Sequence, residues 1–100
     1  MLNIQKQLEN GTACFALEGR LDTVTSPALQ AEIQEVLDGL KELVLDFSGL
    51  EYVSSAGLRV LLSAQKAMLK QGGTMKVTNV KETIMEIFEV TGFSQILTIE

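Results

Sequence analysis

Leu43-Val44-Leu45-Asp46-Phe47-Ser48-Gly49-Leu50-Glu51-Tyr52-Val53-Ser54-Ser55-Ala56-Gly57-Leu58 is the stretch on which the fold turns. It opens with a short apolar run, Leu43-Val44-Leu45 with Phe47, the pattern of a strand covered on both faces. A polar-punctuated loop follows, and then the spacing changes. A helix is expected from about Ser55 to Lys70, with Leu58, Leu61, Leu62, Gln65, Met68 and Leu69 as its inward stripe. Gly72-Gly73 stops it. A strand that feeds straight into a helix is half of a β-α-β unit.

The same alternation continues in both directions. Upstream, Ser26-Pro27 opens another helix, with serine suited to capping and proline to the first helical position. Leu29, Ile33, Val36 and Leu40 form its apolar face, and Gly39 suits the left-handed residue that ends a helix. Before it, Leu2 to Leu8 alternates apolar and polar residues, Asn10-Gly11 marks a tight turn, and Thr12 to Glu18 reads as a second strand. Downstream, Thr74 to Thr78 is a strand, and Asn79 with Glu82 resembles a capping box ahead of a third helix facing inward through Ile84, Ile87 and Phe88. Thr91-Gly92 ends that helix, and Gln95 to Ile99 is expected to form a last short strand. The order β-β-α-β-α-β-α-β predicts an α/β fold whose sheet is mainly parallel, with the first strand joining as an antiparallel edge. Sites in such sheets gather at the carboxyl ends of the strands, here Asp22 to Ser26 and Asp46 to Gly57.

One hundred residues, 46% of them apolar, suffice for a single domain over residues 1–100 with one core. The net charge of −5 comes without a basic cluster, so nucleic acid is not an expected partner. No apolar run approaches the ~20 residues of a membrane span, and the N-terminus lacks a signal-peptide layout. Cys14 is the only cysteine and reads as a small buried hydrophobe, which fits a reducing cytoplasm. The chain has no histidine. That excludes Ser-His-Asp and Cys-His hydrolases and any imidazole-ligated metal. Neither a phosphate-binding loop of the GxxxxGK[ST] type nor a GxGxxG fingerprint occurs, so no cofactor and no catalysis is expected.

What remains is the helix start at Ser54-Ser55. A serine there faces unsatisfied amide groups and the positive end of the helix dipole, both favourable to a phosphate. Either serine can equally serve as a plain helix cap. Gly57 in the first turn costs about 1 kcal/mol relative to alanine, and would leave bare backbone where another surface could approach. Asp22 and Asp46 suit loop closure, or a place beside Ser55 where their charge would shape a partner contact.

The segment from Leu45 to Leu58 resembles the signature of the STAS family, and more specifically of its bacterial anti-sigma factor antagonists. In that family a strand ending in Asp-Leu-Ser leads through a short loop to Asp-Ser-x-Gly-Leu at a helix start. Leu17 to Asp22 is similar to the family's Leu-x-Gly-x-Leu-Asp, and Thr91-Gly92-Phe93 to its Thr-Gly-Leu. The resemblance implies that Ser55 is the serine a partner kinase phosphorylates, with Gly57 and Leu58 on the motif's Gly-Leu. Together with Asp22, Asp46, Ser54 and Ala56, these residues would make up the partner-binding surface. Ser54 is a departure, since the family has aspartate there.

The resemblance further implies a switch. The unmodified protein binds an anti-sigma factor that is also a GHKL-type serine kinase, which frees the sigma factor. Phosphorylation from ATP ends that binding, and a metal-dependent serine phosphatase restores it. Two alternatives stand beside it: a STAS module that is never phosphorylated and acts as a scaffold, for example beside a lipid-transport ATPase, and a small enzyme using Asp22 and Asp46.

Overall fold

The computed structural model describes all 100 residues. Strand β1 (Leu2–Glu9) turns through Asn10-Gly11 into β2 (Thr12–Leu21). Both turn residues have positive φ, 51° and 83°, as a two-residue hairpin of the type matched to strand twist requires. Helix α1 (Ser26–Leu37), strand β3 (Glu42–Val53), helix α2 (Ser55–Lys70), strand β4 (Thr74–Thr78) and helix α3 (Glu82–Thr91) follow, with a 3-10 turn at Phe93–Gln95. The sheet order is β1-β2-β3-β4, with β1 antiparallel to β2 and the other pairs parallel.

Strands that follow one another in sheet order through right-handed crossovers must carry their helices on one face. The burial alternates accordingly. Ala13, Phe15 and Leu17 of β2, Leu43, Leu45 and Phe47 of β3, and Met75 and Val77 of β4 are buried in one core with α1, α2 and α3. Phe47 meets Phe88 of α3 with ring centroids 6.2 Å apart. On the other face Cys14, Ala16, Val44 and Lys76 are only half-buried. The expectation that Leu43-Val44-Leu45 is covered on both faces is therefore corrected, and Cys14 is less buried than expected. The layer of helices is single, so every second residue of these strands looks outward.

Four local readings also change. Strand β3 does not break into a loop at Ser48-Gly49 but runs on to Val53. Beyond Asp46 it pairs with β2 alone, and two register shifts, each with the extra residue on β3, curl this ribbon. Ser26 does not cap α1: it is buried and its hydroxyl donates to the carbonyl of Asp22. Asn79 does not cap α3 either, because it sits at φ 56° and its amide reaches back to Asp46. The last strand is reduced to a single parallel bridge between Val77 and Ile99.

Helix α2 spans the residues expected of it, but its buried side is rotated. Leu58, Leu61, Gln65 and Met68 are buried as anticipated, together with Val60 and Ala64, while Leu69 is 63% exposed. Val60 and Ala64 face α1 across a small cavity lined also by Ile33 and Leu37. A helix packed on both a sheet and a neighbouring helix buries a wider stripe than one packed on a sheet alone.

Candidate functional site

The carboxyl end of the β2–β3 ribbon is where the site forms. The last residue of β2, Leu21, accepts a 2.9 Å hydrogen bond at its carbonyl from the N–H of Ser54. That contact fixes Ser54 in an extended conformation (φ −90°, ψ 175°) directly before α2. Its Oγ accepts from the Gly57 N–H at 3.3 Å, and its carbonyl accepts from the Leu58 N–H at 2.9 Å. Ser54 is thus the cap, and every group it has is in use. Serine and aspartate are about equally good at this position, so Ser54 keeps the cap and loses only the charge.

Ser55 is the first helical residue and is exposed. Because Ser54 does the capping, the hydroxyl of Ser55 takes no part in the helix's own hydrogen bonding. The first N–H groups of a helix have no intrahelical carbonyl, so those of Ser55 and Ala56 remain open beside it. No acid occupies this first turn. The sequence left two serines as alternative caps; the structure separates their tasks.

Asp22 stands next to this helix start through its neighbour Leu21. One carboxylate oxygen accepts from the N–H groups of Val24 and Thr25, each at 3.0 Å, and from the Thr25 hydroxyl at 3.1 Å. These donors, the Thr25 N–H foremost, hold its pKa below the usual carboxylate range. Asp22 therefore builds the β2–α1 loop, and that loop presents Val24, 86% exposed, as an apolar tip. Arg20 lies 3.9 Å from the other carboxylate oxygen and 4.4 Å above the ring of Tyr52, its partner on β3. An exposed pair at that distance adds little stability. The sequence reading missed Arg20 and Tyr52, which only the shifted β2–β3 register brings together.

Asp46 does not join the cluster. It pairs in register with Ala16 and Thr78, eight residues before Ser54, which at ~3.3 Å per residue separates the two by on the order of 20 Å. Its carboxylate accepts from the Ser48 N–H at 2.9 Å and the Asn79 amide at 3.1 Å. Those bonds, the Ser48 N–H first, lower its pKa. Asp46 closes the turn after β4 and is removed from any surface around Ser55.

Gly57 and Leu58 are also not surface. Gly57 is buried, and a Cβ placed on it would stand 2.8 Å from Cγ and 3.0 Å from the carbonyl oxygen of Leu21. The close approach that glycine permits is to the protein's own β2, not to a partner. Leu58 lies in the core. Ala56 is half-buried and lines a groove of about 340 Å³ between the first halves of α1 and α2. Arg59, exposed and one turn beyond Ser55, lines the same groove and was not singled out by the sequence reading. Its signal was present: it stands four residues after Ser55 on the same helix face.

Comparison with known proteins agrees with this architecture. The STAS domain family model matches residues 3–100. The chain is 33% identical over 91 residues to BtrV of Bordetella bronchiseptica, described as a candidate anti-sigma factor antagonist, covering 90% of this chain and 78% of that protein. It is 29% identical over 94 residues to the anti-sigma-B factor antagonist of Bacillus subtilis, covering 94% and 85%. The crystal structure of an anti-sigma factor antagonist from Mycobacterium paratuberculosis superposes with a TM-score of 0.87 at 25% identity, over 99% of this chain and 85% of the other. With nearly its whole length matched and the strand order and helix start in place, the chain belongs to the STAS domain family.

Proposed function

We propose that this protein is an anti-sigma factor antagonist, a binding protein with no catalysis of its own, switched by phosphorylation at Ser55. The observation that carries the reading is the division of labour at the start of α2. Ser54 caps the helix, and Ser55 offers an exposed hydroxyl with open N–H groups beside it. In this reading the unmodified protein, a single domain, acts in the bacterial cytoplasm. It binds an anti-sigma factor that is a GHKL-type serine kinase and so releases the sigma factor. The names of the relatives support the coarser part of this account. No helix here is long and apolar enough to cross a membrane.

The charge explains how binding ends. The kinase moves the γ-phosphoryl group of ATP to the Ser55 Oγ, adding about −1.5 to −2 charge and three acceptor oxygens. On the free protein that charge sits at the positive end of α2 and is tolerated. Inside the complex it loses its water, and charge left uncompensated there costs on the order of 3–5 kcal/mol. A metal-dependent serine phosphatase reverses the step. The test is label transfer from ATP by the cognate kinase: wild type takes up label and Ser55→Ala does not. Equal labelling of the two would move the modification elsewhere.

Ser54 favours one other reading. Without the acidic neighbour, the kinase contact has less to recognise, as suits an unmodified STAS scaffold, for instance beside a lipid-transport ATPase. Phosphate found on Ser55 in cells would dismiss it.

A further inference from the structure

The groove between α1 and α2 has a chemistry that the switch at Ser55 leaves unexplained. Thr23, Ser26, Gln30 and Ser63 line it with polar groups, and Arg59 supplies its one charge. No carboxylate lines it, in a chain with thirteen acidic and eight basic residues. Of the other cations, Lys6 is matched to Glu32, Lys76 to Glu42 and Glu100, and Arg20 to Asp22, whereas Lys41, Lys66, Lys70 and Lys81 form no ion pair but do not line this groove. Arg59 has no carboxylate within 4 Å and forms no side-chain hydrogen bond, although it stands on an otherwise acidic protein.

We infer that this groove receives an acidic side chain of the anti-sigma partner, paired with the Arg59 guanidinium. The inference rests on the reading of Ser55 given above and adds the chemistry of the partner's surface. Arginine presents a planar fork that binds a carboxylate through two parallel N–H donors. A volume of about 340 Å³ admits one side chain, where each water takes a share of only ~30 Å³. The net charge of −5 disfavours an acid at long range, and inside the groove the Arg59 guanidinium is the one charge a partner carboxylate meets, which sets the register of the complex.

The position of Arg59 also ties docking to the switch. Residues four apart on a helix are neighbours, so a phosphate on Ser55 lies within reach of the same guanidinium. The modified serine then competes for Arg59 and repels the incoming carboxylate at the mouth of the groove. Release follows from the loss of an attraction as well as from the gain of a repulsion.

The experiment titrates wild type, Arg59→Lys and Arg59→Glu against the purified anti-sigma factor that binds wild type, with binding of phosphorylated wild type measured alongside. Arg59 is exposed, so all three should melt alike. Arg59→Glu is expected to bind at least about tenfold more weakly, mainly through slower association at low salt, with Arg59→Lys between the two. Exchanging the partner's acidic residue for lysine should restore binding of Arg59→Glu. Equal binding of Arg59→Glu and wild type, while phosphorylation still abolishes binding, overturns the groove assignment and leaves the Ser55 reading intact. So does a loss that no acid-to-lysine exchange on the partner repairs. Phosphorylation without effect on wild-type binding overturns the Ser55 reading itself.

Discussion

Gly57 lies so close under Leu21 that a Cβ at position 57 would come within 2.8 Å of the leucine Cγ and 3.0 Å of its carbonyl oxygen. This approach joins the start of α2 to the end of β2, and the Ser54 N–H bond to the same carbonyl closes the joint. Substitution should therefore damage the fold before it touches any partner. Alanine gains about 1 kcal/mol of helix propensity but meets a tightly packed neighbour, so Gly57→Ala should destabilise by at most about 1–2 kcal/mol. Gly57→Leu should cost about 2–3 kcal/mol or more. Denaturant unfolding checks both, and a Gly57→Leu protein as stable as wild type would refute the packing.

The two serines should part in stability measurements. Ser54→Ala removes the cap and should cost about 1 kcal/mol, while Ser54→Asp should leave stability near wild type. Ser55→Ala removes no hydrogen bond and should shift the melting temperature little. If Ser55→Ala were the damaging change, the assignment of the cap would be reversed.

Gln65 of α2 is buried, and its Oε1 has no hydrogen-bond partner. An unsatisfied buried acceptor costs about 1–3 kcal/mol, and an apolar side chain of similar size avoids that cost. Gln65→Met should therefore raise the denaturant midpoint at an unchanged slope. A lower midpoint would mean that Oε1 is satisfied in solution.

Acid sensitivity follows from Asp22 and Asp46. Both carboxyls are held below their ordinary value of 3.8 in the folded protein. A group whose folded pKa is depressed stabilises the fold above its unfolded pKa and loses that contribution as pH falls through the folded value. Stability should accordingly decline below about pH 4. Asp46→Asn should be the less stable protein at neutral pH and should approach wild type as the pH drops. A constant difference across the range would show that Asp46 acts through its shape alone.

The alternation of strands and helices was legible because the apolar periods are long: Leu29 to Val36 for α1, and Leu58 to Met68 for α2. The helix start at Ser55 was legible to the residue, since Ser54, Ser55 and Gly57 mark it in adjacent positions. What misled was composition read without neighbours. Ser48-Gly49 looks like a loop, yet it continues β3 because at this register shift β2 passes too close for a side chain: a Cβ on Gly49 would meet the Leu17 carbonyl at 3.1 Å. Asp46 looked like a member of the Ser55 site because only eight residues separate it from Ser54. In an extended strand those residues carry it far away. Asn79 and Glu82 have capping-box spacing, but Asp46 takes the Asn79 amide first. Arg59 and Arg20 escaped notice because their meaning depends on what surrounds them in space.

The central claim is that the surface around Ser55 binds the anti-sigma partner and that charge there ends the binding. Calorimetric titration of wild type, Ser55→Asp and the Ser55-phosphorylated protein against that partner tests it most directly. Wild type should bind tightest, and Ser55→Asp more weakly, with folding stability held or slightly raised by the acid in the first turn of α2. The phosphorylated protein should bind roughly two to three orders of magnitude more weakly than wild type. Three equal affinities would contradict the account, because Ser55 would then lie outside the interface.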